Sequence, residues 1–319
     1  MFGYKEISII NSNGKKFYYN EQKIKKLVNE IKSLLKESNI NKDYLFEEIY
    51  TDIHDKKTKQ KSVNLYNGYK FIVKKPKITE ENLYILYGIL NKDMLDEYEL
   101  ENTKQYREKE VYITKDKGLA SSFEKGIKSE DINKYMKVLF NYINEDNDDI
   151  LIKSQIMHFY FVYIHPYFDG NGRTSRTLSK WYLLNNKKSS YVIFNRGIDL
   201  DREGYVESIK KSRKGNLTHF LEFVLNNLKK ELEKEITITK ITNSTFISKE
   251  EYKVLEYILS IEPKSIKELK RLLQIYSRDK YSKELRSLIE KNIIEIDEEE
   301  NIIIKEPEKE DVYGSRTNR

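Results

Sequence analysis

His165-Pro166-Tyr167-Phe168-Asp169-Gly170-Asn171-Gly172-Arg173-Thr174-Ser175-Arg176 is the stretch around which the rest of the chain is organised. An apolar, aromatic run from Ile150 to Ile164 precedes it, and a second apolar-periodic run from Thr177 to Leu184 follows. Pro166 and the Gly-Asn-Gly cluster interrupt the helical pattern between them, so the spacing predicts a helix, a tight loop and a helix. A loop of small residues opening into a helix offers unpaired backbone N–H groups and the positive end of the helix dipole, which together cradle an anion such as phosphate. Gly170 and Gly172 allow close backbone approach. Arg173 at the start of the second helix and Arg176 one turn on can point at the same anion, and two guanidinium forks suit a polyphosphate. Asp169 is placed to hold the divalent cation such a ligand carries, and His165 is left as the proton acceptor.

The composition is that of an ordinary globular protein: 34% charged, 38% hydrophobic and 12% aromatic residues over 319, long enough for two or three domains. The net charge of +6, from 58 basic against 52 acidic residues, permits a nucleic-acid partner without demanding one. Cys is absent, which excludes a disulfide framework, a thiolate metal site and a thiol nucleophile. The start, Met1-Phe-Gly-Tyr-Lys-Glu6, lacks a basic segment followed by an apolar core, and no apolar run reaches membrane-spanning length, so the expectation is a cytoplasmic protein without a membrane partner.

Ile7 to Ile10 and Lys16 to Tyr19 flank Asn11-Ser-Asn-Gly14, which predicts a β-hairpin. Asn20 then caps a helix through Ile24, Leu27, Val28, Ile31 and Leu34. A further helical pattern covers Tyr44 to Ile53 and resumes at Val63, and Thr79-Glu-Glu-Asn82 starts another through Leu83, Leu86 and Leu90. Val111 to Gly118 alternates and then turns. A helix from Ser129 passes through Tyr135, Met136 and Leu139, and Asp148-Asp149 are expected to cap the helix that leads into His165. His158, seven residues before His165, has no metal-ligand spacing and reads as a packing residue. The helix from Phe220 runs into Lys229-Lys-Glu-Leu-Glu-Lys-Glu235, expected to be a solvated linker helix over 231–245. From Phe246 a second domain is expected over 246–305: three short helices and a two-stranded wing, resembling a winged helix. Arg278, Lys280, Lys283 and Arg286 on its third helix could contact DNA, although Glu284, Glu290 and an acidic wing turn dilute that face. Residues 306–319 read as a disordered tail.

The central stretch resembles the signature of the Fic (Fido) family, His-Pro-Phe-x-(Asp or Glu)-Gly-Asn-Gly-Arg-x-x-Arg. It departs at one fixed position, Tyr167 in place of Phe, where the extra hydroxyl needs a partner. Tyr106-Arg107 with Val111-Tyr112-Ile113 is similar to the family's strand-forming flap, and Gly215 to Phe220 to the segment that closes its core. The likeness covers roughly residues 80 to 230, after an N-terminal region over 1–79. It implies a mainly α fold: a Fic-type helical core with a small β-hairpin flap, joined here to the winged-helix-like α+β domain. It further implies transfer of AMP from ATP to a Ser, Thr or Tyr hydroxyl of a target protein, with self-modification. His165 would take the proton of the incoming hydroxyl, Asp169 hold Mg2+, Asn171 and the backbone of Gly170 and Gly172 bind the α-phosphate, and Arg173 and Arg176 the β- and γ-phosphates. Val111, Tyr112 and Ile113 would dock the target. The same scaffold also admits another donor (UMP, phosphocholine or phosphate), and a different class of function, a DNA-binding regulator with a nucleotide-sensing core.

Many members of the family carry a Ser/Thr-x-x-x-Glu-Gly/Asn helix whose Glu pairs with the second signature Arg. No such pattern occurs in this chain. The helix expected in the inhibitory place contains Ile53-His54-Asp55, which sets His54 where the Glu would be. Neutral imidazole cannot form a bidentate pair with Arg176 and a protonated one repels it. Glutamate-type autoinhibition is therefore expected to be absent or weakened, with restraint left to an inhibitory partner protein or to another acidic residue such as Asp55; a homo-oligomer is among the expected partners.

Overall fold

The computed structural model describes residues 3–38, 56–74, 77–95, 105–113, 124–186, 198, 201–269, 271 and 282–305. The chain divides into two compact units, Met1–Lys229 and Lys230–Arg319. The first begins with an antiparallel hairpin, β1 (Tyr4–Ile10) and β2 (Lys16–Asn20), in the register Lys5↔Tyr19 and Ile10↔Lys16. Alternation sends Ile7, Ile9, Phe17 and Tyr19 into the core. The turn is held by Asn11, whose Oδ1 accepts the N–H groups of Asn13 (3.0 Å) and Lys15 (3.1 Å). Asn20 caps α1 (Glu21–Ser38) by accepting from the Lys23 N–H at 2.9 Å, and Ile24, Val28 and Ile31 form its buried stripe.

α2 (Lys56–Lys74) and α3 (Glu80–Leu90) pack together and against the signature's second helix. Thr79 caps α3 through a 3.2 Å bond from the Asn82 N–H. Short strands β3 (Tyr112–Ile113) and β4 (Glu124–Lys125) pair antiparallel. A 3-10 turn, Ser129–Asp131, leads into α4 (Ile132–Glu145), followed by α5 (Ile150–Ile164) and α6 (Asn171–Asn185). α5 is the centre of the unit: of its fifteen residues only Ile150 and Val162 are not buried. A helix apolar on every side must be enclosed, and this one is. Phe17 of the hairpin meets Phe159, Tyr160 and Tyr163 edge-on, and the hydroxyl of Tyr160 donates to the Ile10 carbonyl at 2.9 Å.

The expected double cap of α5 is corrected. Asp149 alone caps it, accepting from the Leu151 N–H at 3.0 Å. Asp148 turns inward and accepts from Lys5 Nζ (2.5 Å), Tyr19 OH (2.9 Å) and Tyr142 OH (2.8 Å), tying hairpin, α4 and α5 together. Burial raises its pKa, but the bonds from Lys5 and Tyr142, with the neighbouring Asp146, outweigh burial and hold the carboxyl below its ordinary value.

α7 (Arg202–Ser212) and the beginning of α8 (Thr218–Ser244) complete this unit. The expectation of a solvated linker over 231–245 is also corrected. α8 continues to Ser244, and Leu232, Ile238 and Ile241 are buried along it. Its buried charges answer one another: Lys234 donates to Glu231 at 2.6 Å and to Ser260 at 3.1 Å. In the second unit Ile238 and Ile241 join a core with Val254, Leu255 and Ile258 of α9 (Lys249–Ile261), Leu285 and Leu288 of α10 (Ser282–Glu290), and Ile294. β5 (Ile294–Ile296) and β6 (Ile302–Ile304) form an antiparallel ladder closed by Asp297, which accepts from Glu299 and Asn301. Lys283 and Arg286 are exposed on α10, while Arg278 and Lys280 lie outside the described residues, as does the tail over 306–319. No described helix is long and apolar enough to cross a membrane.

Candidate active site

α5 ends at His165, which adopts a left-handed conformation (φ 54°, ψ 60°) while its N–H still bonds the Phe161 carbonyl at 3.0 Å. Pro166 cannot extend the helix. A non-glycine residue in that region costs about 1 kcal/mol, and the surroundings hold it there. The His165 carbonyl accepts from Arg107 Nε at 2.8 Å and the Pro166 carbonyl from the Arg107 N–H at 2.9 Å. The imidazole Nδ1 is buried. Burial first, then the positive charge of Arg107 and, less, of Arg213, pushes the pKa of His165 down to about 4, against upward pulls from the Val162 main chain and, smaller still, from Asp169. Its ring is therefore neutral at pH 7 and able to accept a proton.

The loop after Pro166 is closed by Asn171. Its Oδ1 accepts the Tyr167 N–H at 3.0 Å and its Nδ2 donates to the Tyr167 carbonyl at 2.7 Å. The side chain expected to touch phosphate is thus a clamp on the loop, and what Asn171 offers an anion is its main-chain N–H. Tyr167 is buried and stacks on Tyr87 with ring centroids 3.6 Å apart, while the Tyr87 hydroxyl donates to the Asp169 carbonyl at 3.1 Å. The Tyr167 hydroxyl, the group by which the chain departs from the Fic signature, is buried without a partner.

Gly170 is the N-cap of α6 at φ 77°, with no side chain to occupy the helix end. The first intrahelical bond is from Thr174 to the Gly170 carbonyl at 3.0 Å, so the N–H groups of Asn171, Gly172 and Arg173 point out of the helix end without intrahelical acceptors. Arg173 lies across this end: Nη2 donates to Asn91 Oδ1 at 2.7 Å, Nη1 to Met94 Sδ at 3.0 Å, and Nη2 stands 3.7 Å from Asp169 Oδ2. Arg176 Nη1 lies 3.3 Å from where a Gly172 side chain would begin, which places its guanidinium beside Gly172 in the first turn of α6. Arg176 has no ion pair among the described residues.

Asn91 and Arg107 are the residues whose part here the sequence left unread. Asn91, wholly buried at the end of α3, fixes Arg173 and donates to the Tyr87 carbonyl at 2.8 Å. A side chain at Gly170 would begin 2.1 Å from Asn91 Oδ1, so α3 and the signature loop meet at a point only glycine allows. The sole hint was an Asn following the last apolar residue of a helix, which signals only that the helix stops.

Of the flap residues, Val111 reaches the site: its carbonyl accepts from the Gly126 N–H at 3.4 Å, and a side chain at Gly126 would begin 3.3 Å from Val111 and 3.4 Å from His165 Cβ. Tyr112 and Ile113 pair with Lys125 and Glu124. His54 and Asp55 lie outside the described residues. His158, on α5, is buried with Nε2 2.8 Å from the Tyr205 hydroxyl. Burial and the nearby Arg176 hold it neutral.

For Mg2+ the fit rests on Asp169. Its carboxylate is 67% exposed beside Arg173, and no group of three or more His, Cys, Asp or Glu residues forms a metal cage among the described residues. Mg2+ keeps several waters and is commonly held by one or two carboxylates together with substrate phosphates, which one open carboxylate at a phosphate site satisfies.

The Fic/DOC family profile matches residues 77–183. The protein adenylyltransferase Fic of Nematostella vectensis is 28% identical over 115 residues, covering 35% of this chain and 26% of that protein. That of Drosophila erecta is 29% identical over 115 residues, 36% of this chain and 20% of its own length. The chain thus spans about a quarter or less of the curated relatives it matches. The crystal structure of a Fic family protein from Desulfovibrio desulfuricans G20 superposes with a TM-score of 0.55 at 19% identity, covering 85% of this chain and 90% of that one, and shows the same fold. An imidazole, a glycine loop and two arginines on adjoining helices, together with these likenesses, make residues 77–183 a Fic/DOC family domain on a Fic-type helical fold.

Proposed function

We propose that the chain transfers AMP from ATP to a Ser, Thr or Tyr hydroxyl of a target protein. The observation that carries this reading is the juxtaposition, across one clamped loop, of a neutral His165 with an α6 N-terminus flanked by Arg173 and Arg176. The relatives named protein adenylyltransferase support ATP as the donor.

In the reaction the acceptor oxygen forms a bond to the α-phosphorus, the bond from that phosphorus to the bridging oxygen breaks, and pyrophosphate leaves. His165 takes the acceptor's proton. The N–H groups of Asn171, Gly172 and Arg173 bind phosphate oxygens, and Arg173 and Arg176 take up the charge of the leaving group. Asp169 would hold Mg2+, which supplies charge neutralisation at the phosphates. Little else is required of the protein, because such transfers are governed by positioning and electrostatics.

Incubation of the chain with ATP labelled at the α-phosphate, Mg2+ and a cell lysate tests this. Label should appear on protein with wild type and fall by about a hundredfold or more with His165→Ala, while ATP affinity stays within about twofold. Label retained at the wild-type rate by His165→Ala, or transferred from UTP and not from ATP, overturns the reading.

A further inference from the structure

Arg107 stands where the chain enters the flap, and its guanidinium is enclosed: the residue is 2% exposed. It has no ion pair among the described residues. All three of its nitrogens donate to main-chain carbonyls. Nε bonds the His165 carbonyl at 2.8 Å, Nη1 the Lys109 carbonyl at 2.7 Å, and Nη2 the Ile127 carbonyl. Lys109 lies just before β3 and Ile127 just after β4, so one side chain grips both feet of the flap and the carbonyl of the left-handed His165. The backbone repeats the connection, with the Arg107 N–H on the Pro166 carbonyl and the Ile127 N–H on the Ile164 carbonyl at 3.3 Å.

A buried cation given to three neutral carbonyls is a costly way to fasten a loop, since burial works against the charge. No other side chain presents a rigid planar fork able to span three carbonyls at once; Lys offers three donors on a single flexible nitrogen. Gly126 keeps the space open, because a side chain there would begin 2.7 Å from Arg107 Nη2.

We propose that Arg107 is a positioning residue that locks the flap to His165, so that the strand expected to hold the target and the base that receives the target's proton move as one body. The proposal rests on the reading of His165 as the base, and deepens it. It explains why three carbonyls that belong to two parts of one task share one donor. It also adds an electrostatic consequence. The charged groups acting on His165 are Arg107 and Arg213, which push its titration down, and Asp169, which pulls it up, so removing the Arg107 charge should raise the midpoint while moving the ring.

The test uses the full chain and three variants, Arg107→Gln, Arg107→Lys and Gly126→Ala, with the fluorescence of the single, buried Trp181 reporting that the first unit is folded. Amide exchange and histidine NMR are read without nucleotide. All three variants should speed exchange of the Ile127 N–H by about tenfold or more, the loss expected when charge-assisted hydrogen bonds are removed, with the α6 amides unchanged. Arg107→Gln should raise the His165 midpoint from about 4 toward the ordinary histidine value, whereas Arg107→Lys, which keeps the charge, should move it less. With labelled ATP, the rate of self-labelling should fall about a hundredfold at an unchanged KM for ATP, as expected of a misplaced but intact base. Unchanged exchange at Ile127 in any folded variant, or a KM for ATP that rises in step with the lost rate, overturns the proposal. If exchange and titration respond as stated and the wild-type chain transfers nothing from ATP, the lock stands and the adenylyl-transfer reading falls.

Discussion

Tyr167 carries a hydroxyl with nothing to bond, enclosed by Tyr87, Phe161, Tyr106 and Tyr84. An unsatisfied buried hydroxyl costs about 1 kcal/mol or more. Tyr167→Phe should therefore stabilise the first unit by about 1 kcal/mol, raising its Tm by about 2–4 °C for a unit of this size, with labelling unchanged; thermal unfolding followed at Trp181 reads it. A lower Tm would mean that the hydroxyl has found a water. Asn91 makes the opposite case, a polar side chain with every group used. Asn91→Ala frees Arg173 from its 2.7 Å tether and should raise the KM for ATP about tenfold with less effect on kcat, because a wandering guanidinium weakens phosphate binding before it affects proton removal. An unchanged KM would show that Met94 and Asp169 suffice to place Arg173.

Among the elements, α9 illustrates how much a cap can carry. Ser248 and Glu251 form a capping box, and the Glu251 carboxylate also accepts from Ser287 Oγ at 2.5 Å and from Lys291 Nζ at 2.7 and 2.8 Å, joining α9 to α10 and the turn before β5. Burial raises the Glu251 pKa, but Lys291 and Ser287 outweigh burial and hold it at about 2. A carboxyl depressed in the folded state contributes stability above its unfolded value near 4.5, and that contribution is lost as the pH falls toward 2. Thermal unfolding of the second unit, followed by NMR signals of β5 and β6, should therefore show Glu251→Gln less stable than wild type at pH 7, with the difference closing between about pH 4.5 and 2. A difference that stays constant across that window would assign the loss to packing instead.

At the scale of the whole molecule, α5, the loop and α6 were legible because Pro166 and two glycines interrupt an otherwise continuous apolar pattern, which local physics alone decides. The role of Arg107 was not, since two of its three partners lie 20 and 58 residues away and a carbonyl leaves no mark in a sequence. The burial of α8 beyond Lys229 was hidden for another reason: Glu231 and Lys234 satisfy one another, so a stretch that reads as solvated places Leu232, Ile238 and Ile241 inside. The hairpin at the other end of the chain is joined by its backbone to residues far along it. Tyr18 donates to the Gly215 carbonyl at 3.0 Å and accepts from the Leu217 N–H at 2.8 Å, and the Asn20 N–H bonds Thr218 Oγ1 at 2.8 Å. On the ribosome, β2 is thus made early and keeps an unpaired edge until almost two hundred further residues have emerged, at about 5–20 residues per second a wait of roughly ten to forty seconds. Through that interval the nascent chain has every residue of its signature loop well before the segment that seals the hairpin over the core, and it must be kept from pairing its open strand with a neighbour.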